Sequence, residues 1–255
     1  MSEAIILSGV SKSFGEKRAV AGLDITIPVG TVYGLLGPNG SGKSTTMKMM
    51  MGLIKPTSGT IRIYGVDPQA DPLAVKRMIG YVPETPRLYE FLTAYEYLDF
   101  VCAIHGIDMR QQEPRIREFL EAFELTGHEN EMIGGYSHGM KQKVAIISAL
   151  LGKPRLLILD EPLGGLDPKS ARIMKDLIHK LAHDGVTTIF STHVMEIADA
   201  ICDRIGILYN GVKLAEGTAS ELRGMSGLQS SSLEEVFLKI TGSSDLKPIV
   251  DALAS

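Results

Sequence analysis

The chain has no apolar run approaching the ~18 residues that a membrane-crossing helix needs, since stretches such as Leu156-Leu157-Ile158-Leu159 are only strand-sized. No segment is therefore expected to span a bilayer. Cysteine is scarce too. Cys102 and Cys202 stand alone, with no CxxC or Cys/His cluster, which argues against a zinc module or a disulfide framework and leaves both as expected core thiols. Nor does charge of one sign dominate: 26 basic against 30 acidic residues give −4, too mild and of the wrong sign for general phosphate-backbone binding. Nucleic acid is not an expected partner. The acidic start, Met1-Ser2-Glu3-Ala4, lacks the basic flank, apolar stretch and small-residue cleavage site of a secretory signal, so a cytoplasmic location is expected. With 27 glycines and 12 prolines, neither a disordered nor a collagenous chain is indicated. The 255 residues, 44% apolar, can bury a sizeable core.

Residues 5–35 alternate in the manner of strands. Ile25-Thr26-Ile27 and Thr31-Val32-Tyr33, separated by a Pro-Val-Gly break, read as an antiparallel pair. From Val32 to Leu36 the run becomes continuously apolar, meets a glycine-rich turn and leads into a helix-length stretch, Thr45 to Leu53. Alternation returns at Thr60 to Gly65, giving the N-terminal strands a partner. From about Pro86 to Leu151 the pattern is helical, with Thr93-Ala94-Tyr95-Glu96 spaced as a capping box. Strands at Leu156 to Leu159, Thr187 to Ser191 and Ile205 to Leu208 then alternate with helices at Pro168 to His183 and Val194 to Ala200, the pattern of a covered parallel sheet. Asn210-Gly211 between apolar arms signals a hairpin. A Ser/Gly-rich break at Ser226 to Ser232 precedes a short helix, Leu233 to Ile240. The expected fold class is α/β: a core with a mainly parallel sheet, an antiparallel β lobe and an inserted helical subdomain.

Gly37-Pro38-Asn39-Gly40-Ser41-Gly42-Lys43-Ser44 matches GxxxxGK[ST] between an apolar strand and a helix, the context in which that motif cradles phosphates. The glycines let successive backbone N–H groups converge on one anion, the helix adds its positive end, and Lys43 can reach the β- and γ-phosphates. Ser44 would ligate Mg2+, and Asn39, Gly40, Ser41, Gly42, Lys43, Ser44 and Thr45 form the expected nucleotide-contacting set. Leu156 to Leu159 runs into Asp160-Glu161, adjacent carboxylates that strand alternation would send to opposite sides. Asp160 is the natural metal partner in such an enzyme, and Glu161 can polarise the water that attacks the γ-phosphate. The bland alternative is a pair of solvated acids at a strand end. Met47, Met49, Met50 and Met51 have no Cys or His neighbours and read as helix packing.

In order along the chain, this sequence resembles the ATP-binding subunits of ABC transporters over nearly its whole length. After the phosphate loop come Tyr81-Val82-Pro83-Glu84 at the Q-loop, Tyr136-Ser137-His138-Gly139-Met140 at the signature, Leu156 to Glu161 at Walker B, Leu166-Asp167 at the D-loop and Ser191-Thr192-His193 at the switch. The resemblance implies one P-loop NTPase domain over residues 1–225, its helical insertion near 86–150, and a tail over 226–255. It implies ATP and Mg2+ as cofactors and head-to-tail dimers, expected to be homodimers, in which Ser137 and Gly139 meet the partner's nucleotide, and it adds Asp167 of the D-loop to the expected nucleotide-contacting set. His193 would contact the γ-phosphate, and Phe14 would stack on adenine with Val20 beside it. The permease would be a separate integral-membrane chain, which places this subunit peripherally on the inner face of the cell membrane. Lys141 and Lys143, read as lying in the first turn of a helix where the macrodipole disfavours cations, support an interchain role; simple solvation is the alternative.

Two motifs depart from the family pattern. Glu84 replaces a glutamine that would ligate Mg2+ and the attacking water, and His138 and Met140 stand in the usual LSGGQ. With Ser232-Leu233-Glu234-Glu235-Val236-Phe237, these forms resemble a bacterial exporter branch. The expected function is ATP hydrolysis driving an exporter. A soluble ABC-type ATPase of DNA repair or translation is the alternative, although such proteins typically carry coiled coils, zinc modules or tandem cassettes.

Overall fold

The computed structural model describes residues 2–226 and 232–242. Two strands, β1 (Glu3–Phe14) and β2 (Lys17–Pro28), pair antiparallel across the tight Gly15-Glu16 connection, and β4 (Ser58–Ile63) joins β1 on its other edge. This is the expected antiparallel lobe, with its partner at residues 58–63. The expected pairing of Ile25–Ile27 with Thr31–Tyr33 does not form: β3 (Val32–Leu36) leaves for a second sheet, where it runs parallel to its neighbours. Every residue of β3 is buried, and a strand covered on both faces suits a parallel sheet.

That second sheet has the order β5-β6-β7-β3-β8-β9, comprising β5 (Ile79–Val82), β6 (Leu156–Asp160), β7 (Thr187–Thr192), β3, β8 (Arg204–Tyr209) and β9 (Val212–Gly217). Only β9 is antiparallel, joined through Asn210 and Gly211, both at positive φ as a tight hairpin turn demands. Between β3 and β4 lies helix α1 (Lys43–Met50), whose Met47, Met49 and Met50, with the following Met51, are buried between the two sheets, in agreement with their packing reading. A short helix, α2 (Pro72–Met78), its N-terminus capped by Asp71, leads into β5; neither was foreseen.

The middle of the chain holds α3 (Ala94–Ile104), α4 (Met109–Ala122) and α5 (His138–Leu151). Thr93 and Glu96 close the capping box, with Glu96 accepting from the Thr93 N–H at 2.8 Å and Thr93 Oγ1 accepting from the Glu96 N–H at 3.2 Å. Asp108 caps α4 and Ser137 caps α5. Each such cap stabilises its helix by about 1 kcal/mol. These helices share one apolar cluster with α6 (Pro168–His183), Leu157 and Leu159, so they are continuous with the parallel sheet. After β7, α7 (Met195–Ile201) returns the chain to β8. Past β9 come α8 (Ala219–Ser226), which was not foreseen, and α9 (Leu233–Ile240), which was, packed together through Leu222, Leu233 and Val236. Most of the Ser/Gly-rich break expected at Ser226 to Ser232 lies outside the described residues.

Candidate nucleotide site

The C-terminal ends of β3, β6 and β7 meet at one edge of the parallel sheet, where open α/β sheets place their ligands. The phosphate loop leaves β3 there and enters α1 through Gly42, whose φ of 108° is strained for any other L-residue. The loop is clamped from both sides. A β-carbon on Gly42 would sit 2.7 Å from the Ala19 carbonyl oxygen, and the hairpin turn between β8 and β9 donates its Gly211 N–H to the Ser41 carbonyl at 3.0 Å. The Gly211 carbonyl in turn accepts from the Ala21 N–H at 2.8 Å, tying hairpin, loop and β2 together.

Inside the loop, Lys43 is buried, and its Nζ donates to the Gly37 carbonyl at 2.7 Å and more weakly to that of Pro38 at 3.4 Å. Burial pushes this ammonium below the ordinary lysine range, while the carboxylates of Glu161, Asp160 and Glu84 pull it back up. Ser41 Oγ is buried with no hydrogen-bond partner in the protein. Such an orphan costs on the order of 1–3 kcal/mol unless a ligand satisfies it. A cavity of about 350 Å³ opens here, lined by the loop residues Asn39, Gly40, Gly42, Lys43, Ser44 and Thr45, by Phe14 on the antiparallel lobe, and by Glu84, Asp160 and Glu161.

Asp160 and Glu161 thus face the same cavity, contrary to the expectation that strand alternation would separate them. β6 ends at Asp160, and Glu161 turns into the left-handed region at φ 48°, which breaks the period of two. Asp160 is almost fully buried, with Oδ1 accepting from the Ser191 hydroxyl at 2.6 Å. Glu161 Oε1 lies 2.8 Å from His193 Nδ1. His193 lines a neighbouring cavity of about 510 Å³ with Pro38, Asn39 and Phe237, which shares Asn39 with the first. Val20 is buried behind Gly42 rather than on the cavity wall. The oxygen donors Ser44, Glu84 and Asp160 are hard ligands of the kind Mg2+ takes, with Asp160 Oδ2 left open by the bond to Oδ1. Two rim residues, Lys17 and Ala19, were not singled out from sequence. Lys17 pairs in register with Phe14 across the hairpin, a relation legible once the β1-β2 turn is placed.

Ser137, Gly139 and Asp167 line neither cavity and lie together elsewhere on the chain, at the start of α5 and of α6. A β-carbon on Gly139 would stand 2.5 Å from the Gly165 carbonyl oxygen, so glycine is what lets α5 rest on the loop after Glu161. The His138 ring lies on the same Gly165, its Cδ2 2.5 Å from where a β-carbon there would be. Asp167 caps α6, accepting from the Ser170 N–H at 2.8 Å and hydroxyl at 2.7 Å, and pairs with Lys143 at 2.8 Å. The Lys143 ammonium first, then the Ser170 donors, hold its carboxyl well below the usual range.

The two lysines must be read differently in consequence. α5 begins at His138, so Lys141 and Lys143 fall beyond the first three positions, and each is paired within the chain, Lys141 with Glu90 at 2.6 Å and Lys143 with Asp167. They neither break the macrodipole rule nor extend freely into solvent.

A glycine loop that opens a helix, a buried lysine inside it and paired acids at the neighbouring strand end define a P-loop nucleotide-binding protein. A family model described as ABC transporter matches residues 20–164. The chain belongs to the ABC transporter family, as its ATP-binding and ATP-hydrolysing subunit. It is 37% identical over 226 residues to the daunorubicin/doxorubicin resistance ATP-binding protein DrrA of Streptomyces peucetius, covering 89% of this chain and 68% of that protein. Among solved structures, an ATP-binding subunit of an ABC transporter superposes with a TM-score of 0.89 at 34% identity, over 93% of this chain and 99% of that one. A dimeric ATP-binding cassette in a post-hydrolysis state with ADP and Pi superposes at 0.77 and 28% identity, over 84% of this chain and 98% of that one. The DNA-repair or translation alternative is set aside by these matches. Among the described residues no helix is long and apolar enough to cross a membrane.

Proposed function

We propose that this subunit hydrolyses Mg-ATP in a head-to-tail homodimer and drives an exporter whose permease is a separate membrane-embedded chain. The observation that carries the reading is the cavity at the sheet edge, where Lys43, Ser44, Asp160 and Glu161 converge while Ser137 and Gly139 of the same chain lie apart from it. Asn39 to Thr45 would hold the phosphates, with the unpaired Ser41 hydroxyl and the backbone N–H groups as donors. Phe14, half exposed, offers one ring face to adenine while Lys12 stands 4.9 Å from its centroid. Ser44, Asp160 and Glu84 would hold Mg2+, which when bound would neutralise charge on the phosphate oxygens. Glu161 would take the proton of the attacking water, with His193 holding its carboxylate in place and reaching toward the γ-phosphate.

The neutral groups Ser137 Oγ and the Gly139 N–H, at the positive end of α5, would meet the γ-phosphate bound by the partner, with Asp167 in the same interface. The dimeric post-hydrolysis neighbour supports this arrangement, and the drug-resistance role in the name of DrrA favours export. For the permease, the helical insertion offers an exposed aromatic patch beside the Glu84 region. Tyr89 packs against Phe91 and Phe100 at 5.7 and 5.4 Å between ring centroids, and Phe91 is 72% exposed. Attachment there would hold the subunit on the inner face of the cell membrane, with ATP hydrolysed on the cytoplasmic side.

Residues 1–225 would act as one ATPase domain with its insertion at 86–150, and 226–255 as an appended tail. The test is ATPase activity against protein concentration for the isolated chain. Because each site needs two copies, specific activity should rise with concentration. A concentration-independent rate from a preparation that light scattering finds monomeric in Mg-ATP would refute the reading.

A further inference from the structure

Ser191 is fully buried at the end of β7 and stands directly opposite Asp160 in the parallel β6/β7 ladder. Its hydroxyl donates to Asp160 Oδ1 at 2.6 Å, a length typical of a charge-assisted bond, and accepts from the Glu161 N–H at 3.2 Å. The Glu161 N–H also donates to the Ser191 carbonyl at 3.2 Å. Since that N–H can only donate, the single hydroxyl proton of Ser191 is committed to Asp160. We propose that Ser191 is a positioning residue for both carboxylates of the nucleotide site, fixing the orientation of Asp160 toward the cation and the backbone turn that presents Glu161. This rests on the reading of Asp160 as the metal-binding carboxylate.

The physical case has two parts. Asp160 is 4% exposed and Oδ1 has the Ser191 hydroxyl as its donor, so that bond holds Oδ1 away from the cavity and leaves Oδ2 to face it. Glu161 stands at φ 48°, a conformation that L-residues other than glycine seldom adopt without support. That turn is what brings Glu161 onto the same side as Asp160, and its N–H is anchored to Ser191 twice. β7 and the residue that follows it therefore hold Glu161 twice, its backbone through Ser191 and its carboxylate through the His193 imidazole. An alanine at 191 keeps the carbonyl bond and loses both hydroxyl bonds.

The test is direct Mn2+ binding, followed by electron paramagnetic resonance, in the complex of the full chain with a non-hydrolysable ATP analogue. Ser191→Ala should weaken Mn2+ binding by about 10–100-fold, the usual effect of removing a group that orients a metal ligand. The half-saturating Mg2+ concentration for ATPase should rise in parallel, while analogue affinity in EDTA stays at the parental level. Ser191→Thr, which restores the hydroxyl, should recover most of the loss. Parental Mn2+ affinity in Ser191→Ala, with only a lower melting temperature, would overturn the proposal by making the hydroxyl a strand contact alone. Should the alanine variant fail to fold, Ser191→Cys keeps the size with a poorer donor, and parental Mn2+ affinity there overturns the proposal equally. Asp160→Asn in the same titration separates the two claims. If Mn2+ binding survives that change, the metal assignment of Asp160 fails and the proposal with it; if Asp160→Asn loses the metal while Ser191→Ala keeps it, only the Ser191 proposal fails.

Discussion

At the cavity edge of the sheet the chain buries Lys43 and Asp160 and bonds each to its own backbone or hydroxyls, so charges stand ready before any ligand arrives. At the start of α5 the charges are spent differently. Lys143 and Asp167 bind one another, Gln142 donates to the Pro162 carbonyl at 3.2 Å, and His138 lies on Gly165, all fastening the Ser137 segment to the loop after Glu161. Ser137 remains exposed with its hydroxyl capping the helix. On the proposed reading, one region receives polyanionic phosphate within the chain, and the other offers only a hydroxyl and backbone donors. The loop 161–167 carries Glu161 at one end and, through Gly165, lies against the start of α5 at the other.

The contrast predicts a graded series. Glu161→Gln should leave the phosphate contacts and α5 unaltered and remove only the water-polarising carboxylate, slowing hydrolysis by about 10²–10⁴-fold with ATP binding retained. Turnover at saturating Mg-ATP within a few-fold of the parent would remove Glu161 from the base role. Lys43→Ala should act on binding itself, weakening ATP by about 1.5–3 kcal/mol through the lost charge-assisted contact, as calorimetry would measure. Unchanged affinity would break the assignment of that region as a phosphate cradle.

Changes on the other side should be felt in stability first. Asp167→Ala removes a helix cap and the partner of a buried ammonium, and should cost about 1–2 kcal/mol in denaturant unfolding with monomer ATP affinity unaltered. Asp167→Asn keeps a capping oxygen, and should cost less than about 1 kcal/mol because the carboxylate is 41% exposed. The Asp167 carboxyl is held below its unfolded value, so its contribution is present above the unfolded value and lost as pH falls. The gap between parent and Asp167→Asn should thus be full at neutral pH and close as pH drops below about 4. A gap that widens in acid would contradict the pairing.

Local signals carried much of this into the sequence. The phosphate loop is legible because Gly42 must adopt a left-handed turn at fixed distance from Lys43, and the hairpin because Asn210-Gly211 encodes its own turn. Helix ends were legible where a cap lies three residues away, as at Thr93. What was hidden depends on distant partners. Nothing local to Ile25–Ile27 tells that β3 crosses to another sheet, and the strand order around β3 is set by packing of whole layers. The same-side placement of Asp160 and Glu161 depends on one backbone angle at a strand end. Lys143 looked anomalous until Asp167, from another helix, was beside it, and Ser191 acquires meaning only through its register with Asp160.

The division of labour between the two regions is tested most directly by mixing two variants, Lys43→Ala and Ser137→Phe, each inactive alone. In a head-to-tail dimer the mixed pair carries one site with both defects and one site with neither. Activity should reappear on mixing, approaching roughly a quarter of the parental rate if the chains pair at random about a two-fold axis. A mixture as inactive as its separate components, with light scattering establishing that dimers form in Mg-ATP, would contradict the claim that Ser137 serves the partner's nucleotide.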